Sequence, residues 1–216
     1  MEKLRKLRRL NFFPGIAALF NSRQTRKVGR AKFALLVLNF AGCAALSPAI
    51  FAQQSKPQEY QVKAIYLYNF SKFVQWPPAA ERSDTFAICV IGRDPFGAAL
   101  DSALAGEKID QKTMVARRIA DAQEATKCQI LFVADSESGR VKQILSALGK
   151  SSVLTVSDIP EFSLNGGMIE FVIQENKVRF DVNLTAANKA GLTLSSQLLK
   201  VASAVKKDSS LENGKQ

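Results

Sequence analysis

Histidine is missing from the chain altogether. That removes the imidazole bases that activate serine or cysteine nucleophiles, and the imidazole ligands of a catalytic metal. Three cysteines remain, Cys43, Cys89 and Cys128. Cys43 falls inside an N-terminal apolar stretch, and two thiolates alone do not make a zinc site. The loop Gly92–Gly97, GRDPFG, lacks the Lys-Ser/Thr of a phosphate-binding loop, and no third glycine stands at the dinucleotide spacing. Asp94 would repel an anion placed at the start of the following helix. No pair of carboxylates stands out from the scattered acids. These residue types predict a protein that is not an enzyme and needs no cofactor or metal.

The cysteine pair carries more. Cys89 lies in the middle of Phe86–Ile91, an uncharged apolar run that predicts a strand buried on both faces. Cys128, its natural partner, heads the next such run, Cys128–Ala134. The two bond only if those segments approach within about 6 Å. Joined, they close a loop whose chain-entropy contribution is roughly 3–4 kcal/mol. A structural staple and a redox-sensitive switch are both open at this point.

Gly92 ends the Phe86–Ile91 strand. Asp94 then reads as the cap of a helix with Pro95 in its first turn and Phe96, Ala99, Leu100, Ala103 and Leu104 at helical spacing. A buried strand running into a helix opens a βαβ unit, so the sheet is expected to be mostly parallel. Upstream, Gln58–Pro77 predicts a helix of about five turns stopped by Trp76-Pro77-Pro78. It has apolar residues on two sides, which implies a helix wedged between the sheet and another helix or a second subunit. Its aromatics Tyr66, Phe70, Phe73 and Trp76 are the candidate dimer or partner surface, beside the plainer expectation of core packing.

Further along, Lys112–Ile119 predicts a strand near an edge, because it carries Arg117 and Arg118. Asp121–Ala125 reads as a short helical turn, Glu137–Leu148 as a helix closed by Gly149, and Ser152–Val156 as a strand. Met168–Gln174 and Lys177–Leu184, separated by Glu175-Asn176, predict an antiparallel hairpin. A last helix is expected over Ser195–Val205. The fold class is therefore α/β: a single-domain layered sandwich, a mostly parallel central sheet with a C-terminal antiparallel hairpin, and helices on both faces. Residues 58–205 form the domain, after a linker at 53–57 and before a disordered polar tail at 206–216.

The segment Met1–Ala52 reads as a basic leader and secretory signal. Phe33–Leu46 is an apolar stretch behind a basic cluster, with small residues around Ser47-Pro48-Ala49 and Ala52. It is shorter than the roughly 20 residues that span a bilayer. Phe40-Ala41-Gly42-Cys43 resembles a lipoprotein box with an atypical first residue. A cysteine inside a discarded apolar core is the favoured reading over lipid anchoring at Cys43. The leader holds ten of the 30 Lys/Arg and one of the 19 Asp/Glu, leaving 20 basic against 18 acidic residues in the remainder. The net charge of +11 is thus mostly a targeting feature, and nucleic acid is not an expected partner.

With these motifs placed, the chain resembles the YfiR family of bacterial periplasmic proteins. The resemblance rests on Val62-Lys63-Ala64, Tyr68–Pro77 (YNFSKFVQWP), Ile88–Gly92 with Asp94–Gly97, Cys128–Phe132, Gly166–Ile169, Phe180–Leu184 with Ala187 and Ala190–Leu192, and Ser195–Leu199. It covers about Gln58–Ala204. It implies a compact α/β domain that forms a homodimer in the periplasm and regulates biofilm signalling. There it would bind the periplasmic sensor portion of a membrane-anchored diguanylate cyclase and hold down cyclic-di-GMP synthesis, until an outer-membrane lipoprotein draws the repressor away. Cys89 and Cys128 match the family's disulfide positions, while a second pair found in some members is missing. The loops holding Gly92, Arg93 and Asp94 and holding Asn165, Gly166 and Gly167 are the candidate partner or ligand loops. The alternative expectation is a periplasmic small-ligand sensory module that reads solute near Gly92 and Asp94 and acts on another membrane receptor.

Overall fold

The computed structural model describes residues 56–78 and 84–207. The expected leader and signal at 1–52, Cys43 within it, and most of the expected linker and tail lie outside those residues.

The chain opens with helix α1 (Lys56–Phe73) and a two-residue strand β1 (Val74–Gln75). Then come β2 (Thr85–Ile91), α2 (Ala98–Leu104), β3 (Lys108–Ile109), β4 (Lys112–Ile119) and a 3-10 turn at Glu124–Lys127. Next are β5 (Ile130–Val133), a second 3-10 turn at Asp135–Arg140 running into α3 (Val141–Leu148), and β6 (Leu154–Ser157). The chain finishes with β7 (Ile169–Gln174), β8 (Lys177–Asn183), α4 (Leu184–Lys189), β9 (Thr193–Leu194), α5 (Ser196–Val201) and β10 (Ala204–Lys206).

Among the described residues eight strands form the central sheet in the order β10-β8-β7-β6-β5-β2-β4-β3. Strands β4, β2, β5, β6 and β7 run parallel to one another, β3 pairs antiparallel with β4, and β7 pairs antiparallel with β8 through the expected hairpin. Glu175 and Asn176 take φ of 49° and 58°, the left-handed pair that a two-residue hairpin turn requires. The expected α/β sandwich with a mostly parallel sheet is therefore the observed one.

Alternation along β2 divides the core in two. Phe86, Ile88 and Val90 face α1 and α2, together with Phe132, Phe171, Phe180 and Leu67 and Phe70 of α1. Ala87, Cys89 and Ile91 face α3, with Leu131, Val133, Ile144 and Phe162. Burial on both faces is why this strand reads as an unbroken apolar run. On the α3 face Cys89 and Cys128 form a disulfide, with Cα atoms 6.0 Å apart.

Several element ends differ from the expectation. Helix α1 stops at Phe73, not at Pro77, because Val74–Gln75 turns extended and pairs with β9. Helix α2 begins at Ala98: Asp94 Oδ1 accepts from the Phe96 N–H at 2.8 Å, closing a turn, and Gly97 then takes φ 52°. The last helix ends at Val201, since Ala202 is extended (ψ 145°) and Ala204–Lys206 joins β8 as a parallel edge strand. Order thus reaches Lys206, while α1 starts inside the expected linker at Lys56.

Candidate functional site

Strand β2 lies between β4 and β5, so the chain leaves it toward one side and returns on the other. The ends of β2 and β5 therefore flank the point where the connections diverge, the place where open α/β sheets leave a crevice. The loop after β2 is fixed against the loop after β5. Gly92 has φ 92°, and a Cβ there would stand 2.6 Å from Ser136 Oγ and 2.7 Å from Glu137 Cγ, so only glycine permits the approach. The Arg93 N–H donates to Ser136 Oγ at 2.8 Å.

Beyond Gly92 the loop is tied to β4 by Arg118. Its Nε donates to Asp94 Oδ2 (2.8 Å), its Nη2 to the Gly97 carbonyl (2.8 Å), and its two terminal nitrogens to the Asp101 carboxylate (2.6 and 2.8 Å). Hydrogen bonding to Arg118 holds the Asp101 carboxyl below its ordinary range. The same bonds raise the guanidinium's proton affinity further. The side chains are 35% exposed at Arg118 and 54% at Asp101, so solvent screens this network and it orders the loop more than it stabilises the domain.

Phe96 turns inward from this loop. Its ring meets Tyr60 edge-on at 5.4 Å and Phe132 at 4.7 Å. Between the first two turns of α1 and the Asp94–Ala103 segment lies an open cleft of about 1020 Å³, bordered by Pro57, Tyr60, Ile65, Asp94, Phe96 and Ala99. Ile65, 53% exposed, is an apolar side chain left on its rim.

Tyr60 links this cleft to a buried charge cluster. Its hydroxyl donates to Asp158 Oδ2 at 2.7 Å. Burial, then the Asp158 hydrogen bond and charge, push its phenol well above the usual tyrosine range. Lys63 Nζ donates to the same oxygen at 2.6 Å and pairs with Glu59 Oε1 at 2.5 Å. It also sits 4.5 Å from the Tyr60 ring centroid and 5.8 Å from that of Phe171. The Lys63 side chain is 3% exposed and Asp158 11%, and Asp158 Oδ1 is buried with no hydrogen-bond partner among the described residues. A cluster of two carboxylates and one ammonium thus clamps α1 onto the sheet where β6 ends.

The expected site residues fall in three places. Gly92, Arg93 and Asp94 form the cleft loop. Asn165, Gly166 and Gly167 lie on the other face of the sheet, near α3. There the Asn165 side chain donates to the Glu161 carbonyl (2.9 Å), Gly166 has φ 98°, and a Cβ on Gly167 would stand 2.1 Å from the Phe162 ring. Buried Glu170 gathers that loop by accepting from the Glu161 and Ser163 N–H groups and from Ser163 Oγ. Of the four expected aromatics, Phe70 is fully enclosed, with its ring centroid 5.1 Å from that of Phe180 and 5.9 Å from that of Phe171. Tyr66 is half-buried over the same rings. Trp76 packs edge-on against Phe86 and donates to the Gln129 carbonyl, and Phe73 is partly buried against the same core. Any surface α1 offers a partner must therefore draw on its less enclosed residues, Ile65 among them.

Sequence reasoning did not single out Tyr60, Lys63, Asp158 or Arg118 as site residues. The signal available for Lys63 was a lysine among apolar neighbours in the middle of the helix, four residues after Glu59. Among the described residues no group of acids and cysteines is arranged to hold a metal ion, and no helix is long and apolar enough to cross a membrane.

A family model for YfiR/HmsC-like proteins matches residues 60–203. The chain belongs to that family. Its members are periplasmic, non-catalytic regulators of cyclic-di-GMP signalling, and the expected family assignment is the one found. Two solved structures are similar at 12% identity. One is a conserved domain protein from Vibrio cholerae (TM-score 0.48), and the other is described as an ABC domain in complex with L-Trp from Streptococcus pneumonia (TM-score 0.46). Each similarity covers 68% of this chain and 60% of the other. No curated protein matches.

Proposed function

We propose that this protein is a periplasmic negative regulator that binds the periplasmic sensor region of an inner-membrane diguanylate cyclase and lowers cyclic-di-GMP synthesis. The observation that carries the reading is the family match over residues 60–203, which spans nearly all of the described domain. The site geometry suits binding: a cleft with an exposed apolar rim at Ile65, one wall held by Arg118 and the other by the Lys63–Asp158 pair. Docking at this cleft, homodimerisation, and removal by an outer-membrane lipoprotein belong to the same proposal.

The test is cellular cyclic-di-GMP in a deletion strain, with the mature domain returned either to the periplasm or to the cytoplasm. A rise on deletion, reversed only by the exported protein, is expected. An unchanged level, with a candidate cyclase confirmed to be expressed, overturns the reading.

A second reading has an observation of its own. The cleft lies at the carboxyl end of β2, beside the divergence of the sheet's connections, where small ligands bind in open α/β folds. A metabolite retained through native purification and identified by mass spectrometry would support a small-ligand sensory module acting on another receptor.

A further inference from the structure

The sheet ends on an incompletely covered strand. β4 pairs with β2 from Thr85↔Thr113 to Ile91↔Ile119. On its other side β3 covers only Lys112 and Thr113, and the last backbone bond there runs from Met114 N–H to the Glu107 carbonyl at 3.0 Å. Backbone groups alternate sides along a strand. Since the Met114 N–H points away from β2, the N–H and C=O groups of Ala116 and Arg118 do so as well. Among the described residues no strand pairs with them.

We propose that this edge, Val115–Ile119, is where an extended acidic strand of a partner protein docks by adding itself to the sheet. The inference rests on the partner-binding reading above and assigns it a second surface. Two features give the edge its chemistry. Arg118 is held on the α2 face by Asp94 and Asp101, which keeps the strand end in place. Arg117 lies on the opposite face, exposed, with one long bond of 3.4 Å to Thr85 Oγ1 and no ion pair among the described residues. An Asp or Glu on the added strand opposite Arg117 would complete the pair, while main-chain bonds to Ala116 and Arg118 would supply sequence-tolerant affinity.

A second copy of this chain fits poorly. Antiparallel self-pairing centred on residue 117 sets Arg117 against Arg117, and like charges directly opposite are destabilising. Centring on Ala116 drives the copy's Ile119 toward Thr113, whose outer side Lys108 already occupies. A charged edge of this kind guards against its own copies and remains open to a complementary strand.

The test uses the full chain, exported in the deletion strain described above, with cyclic-di-GMP as readout. Arg117→Glu is expected to demand about tenfold more protein for the same repression, the order of one opposite-charge pair turned into a like-charge pair. Ala116→Pro, which removes one outward N–H, should weaken repression similarly. Lys177→Glu, on the far strand β8, should leave it unchanged. The variants are compared only where Trp76 fluorescence reports a native urea midpoint, and Arg117→Glu decides alone if the proline variant does not fold. Full repression by both edge variants overturns the edge while the cyclase reading stands. Equal loss from Lys177→Glu overturns it by showing a general charge effect. A change of oligomeric state on Arg117→Glu overturns it in favour of a second copy. If deletion itself leaves cyclic-di-GMP unchanged, the cyclase reading falls and this edge falls with it.

Discussion

Replacing Lys63 with Met should be among the most costly substitutions in the domain. The ammonium is 2.6 Å from Asp158 Oδ2 and 2.5 Å from Glu59 Oε1, with its side chain 3% exposed. Methionine fills a similar volume but, among the described residues, leaves Asp158 with only the Tyr60 hydroxyl, its other oxygen already having no partner there. Removing one member of a buried ion pair costs about 3–5 kcal/mol, because the remaining charge is stranded in a poorly solvated place. Against a total stability of about 5–15 kcal/mol, that is a large share. Replacing both partners by apolar residues, Lys63→Met with Asp158→Leu, should recover much of the loss, since the more deeply buried carboxylate is then gone and only Glu59, 21% exposed, is left without its ammonium. Urea unfolding at neutral pH, followed through the single tryptophan, Trp76, gives the numbers directly. Its indole is half-buried, so unfolding changes its environment. A single-variant cost below about 1 kcal/mol, or a double variant no more stable than the single one, would refute the clamp as derived.

Four other outcomes follow from the same structure. Removing the disulfide as Cys89→Ala with Cys128→Ala should cost about 4 kcal/mol in the chain-entropy account of a loop 39 residues apart, checked by thermal unfolding. The same bond, buried at 0% and 4% exposure, should yield free thiol to a reagent only as Trp76 fluorescence is lost. Asp181→Asn should raise the thermal midpoint at pH 7: burial raises the Asp181 carboxyl against the pull of Lys206, and its Oδ1 has no partner among the described residues. A raised carboxyl favours the fold only while protonated, so that contribution fades as pH climbs through its titration. The advantage of asparagine should accordingly shrink as pH falls into the carboxylate range. Gly167→Ala should destabilise by about 1–3 kcal/mol, because its Cβ would stand 2.1 Å from the Phe162 ring.

The strands were legible where one physical signal dominated. Lys112–Ile119 matches β4 residue for residue, and the Glu175-Asn176 turn places the hairpin, because apolar runs and a two-residue turn are local signals. The pieces that pair only through distant partners were not legible. β1, β9 and β10 span two or three residues, too few to show a period, and exist because Val74 meets Leu194 and Val205 meets Val182. The start of α2 was misplaced for a local reason: Asp94 has the chemistry of a cap, but spends it on a turn two residues long. In the site, the glycine loop could be read from its composition. The Lys63–Asp158 pair could not, since its members stand 95 residues apart and only the fold joins them.

The disulfide acquires a positional meaning from the strand that carries it. β2 presents Cys89 to the α3 face and ends, two residues later, in the loop that builds the cleft on the α1 face. Cys128 leads into β5, whose register with β2 runs from Ile88↔Ile130 to Ile91↔Val133. That register is what brings Ser136 under Arg93 and leaves room for no side chain at Gly92. A one-residue slip between these strands would exchange their two buried faces, so the apolar pattern already opposes it. The covalent bond opposes the remaining route, separation of β2 from β5 at the end away from the cleft. A staple hidden on one face thereby steadies the cleft loop on the other. Loosening it should disturb the Gly92–Gly97 wall before the Lys63–Asp158 wall, which is tied to the sheet through β6 instead.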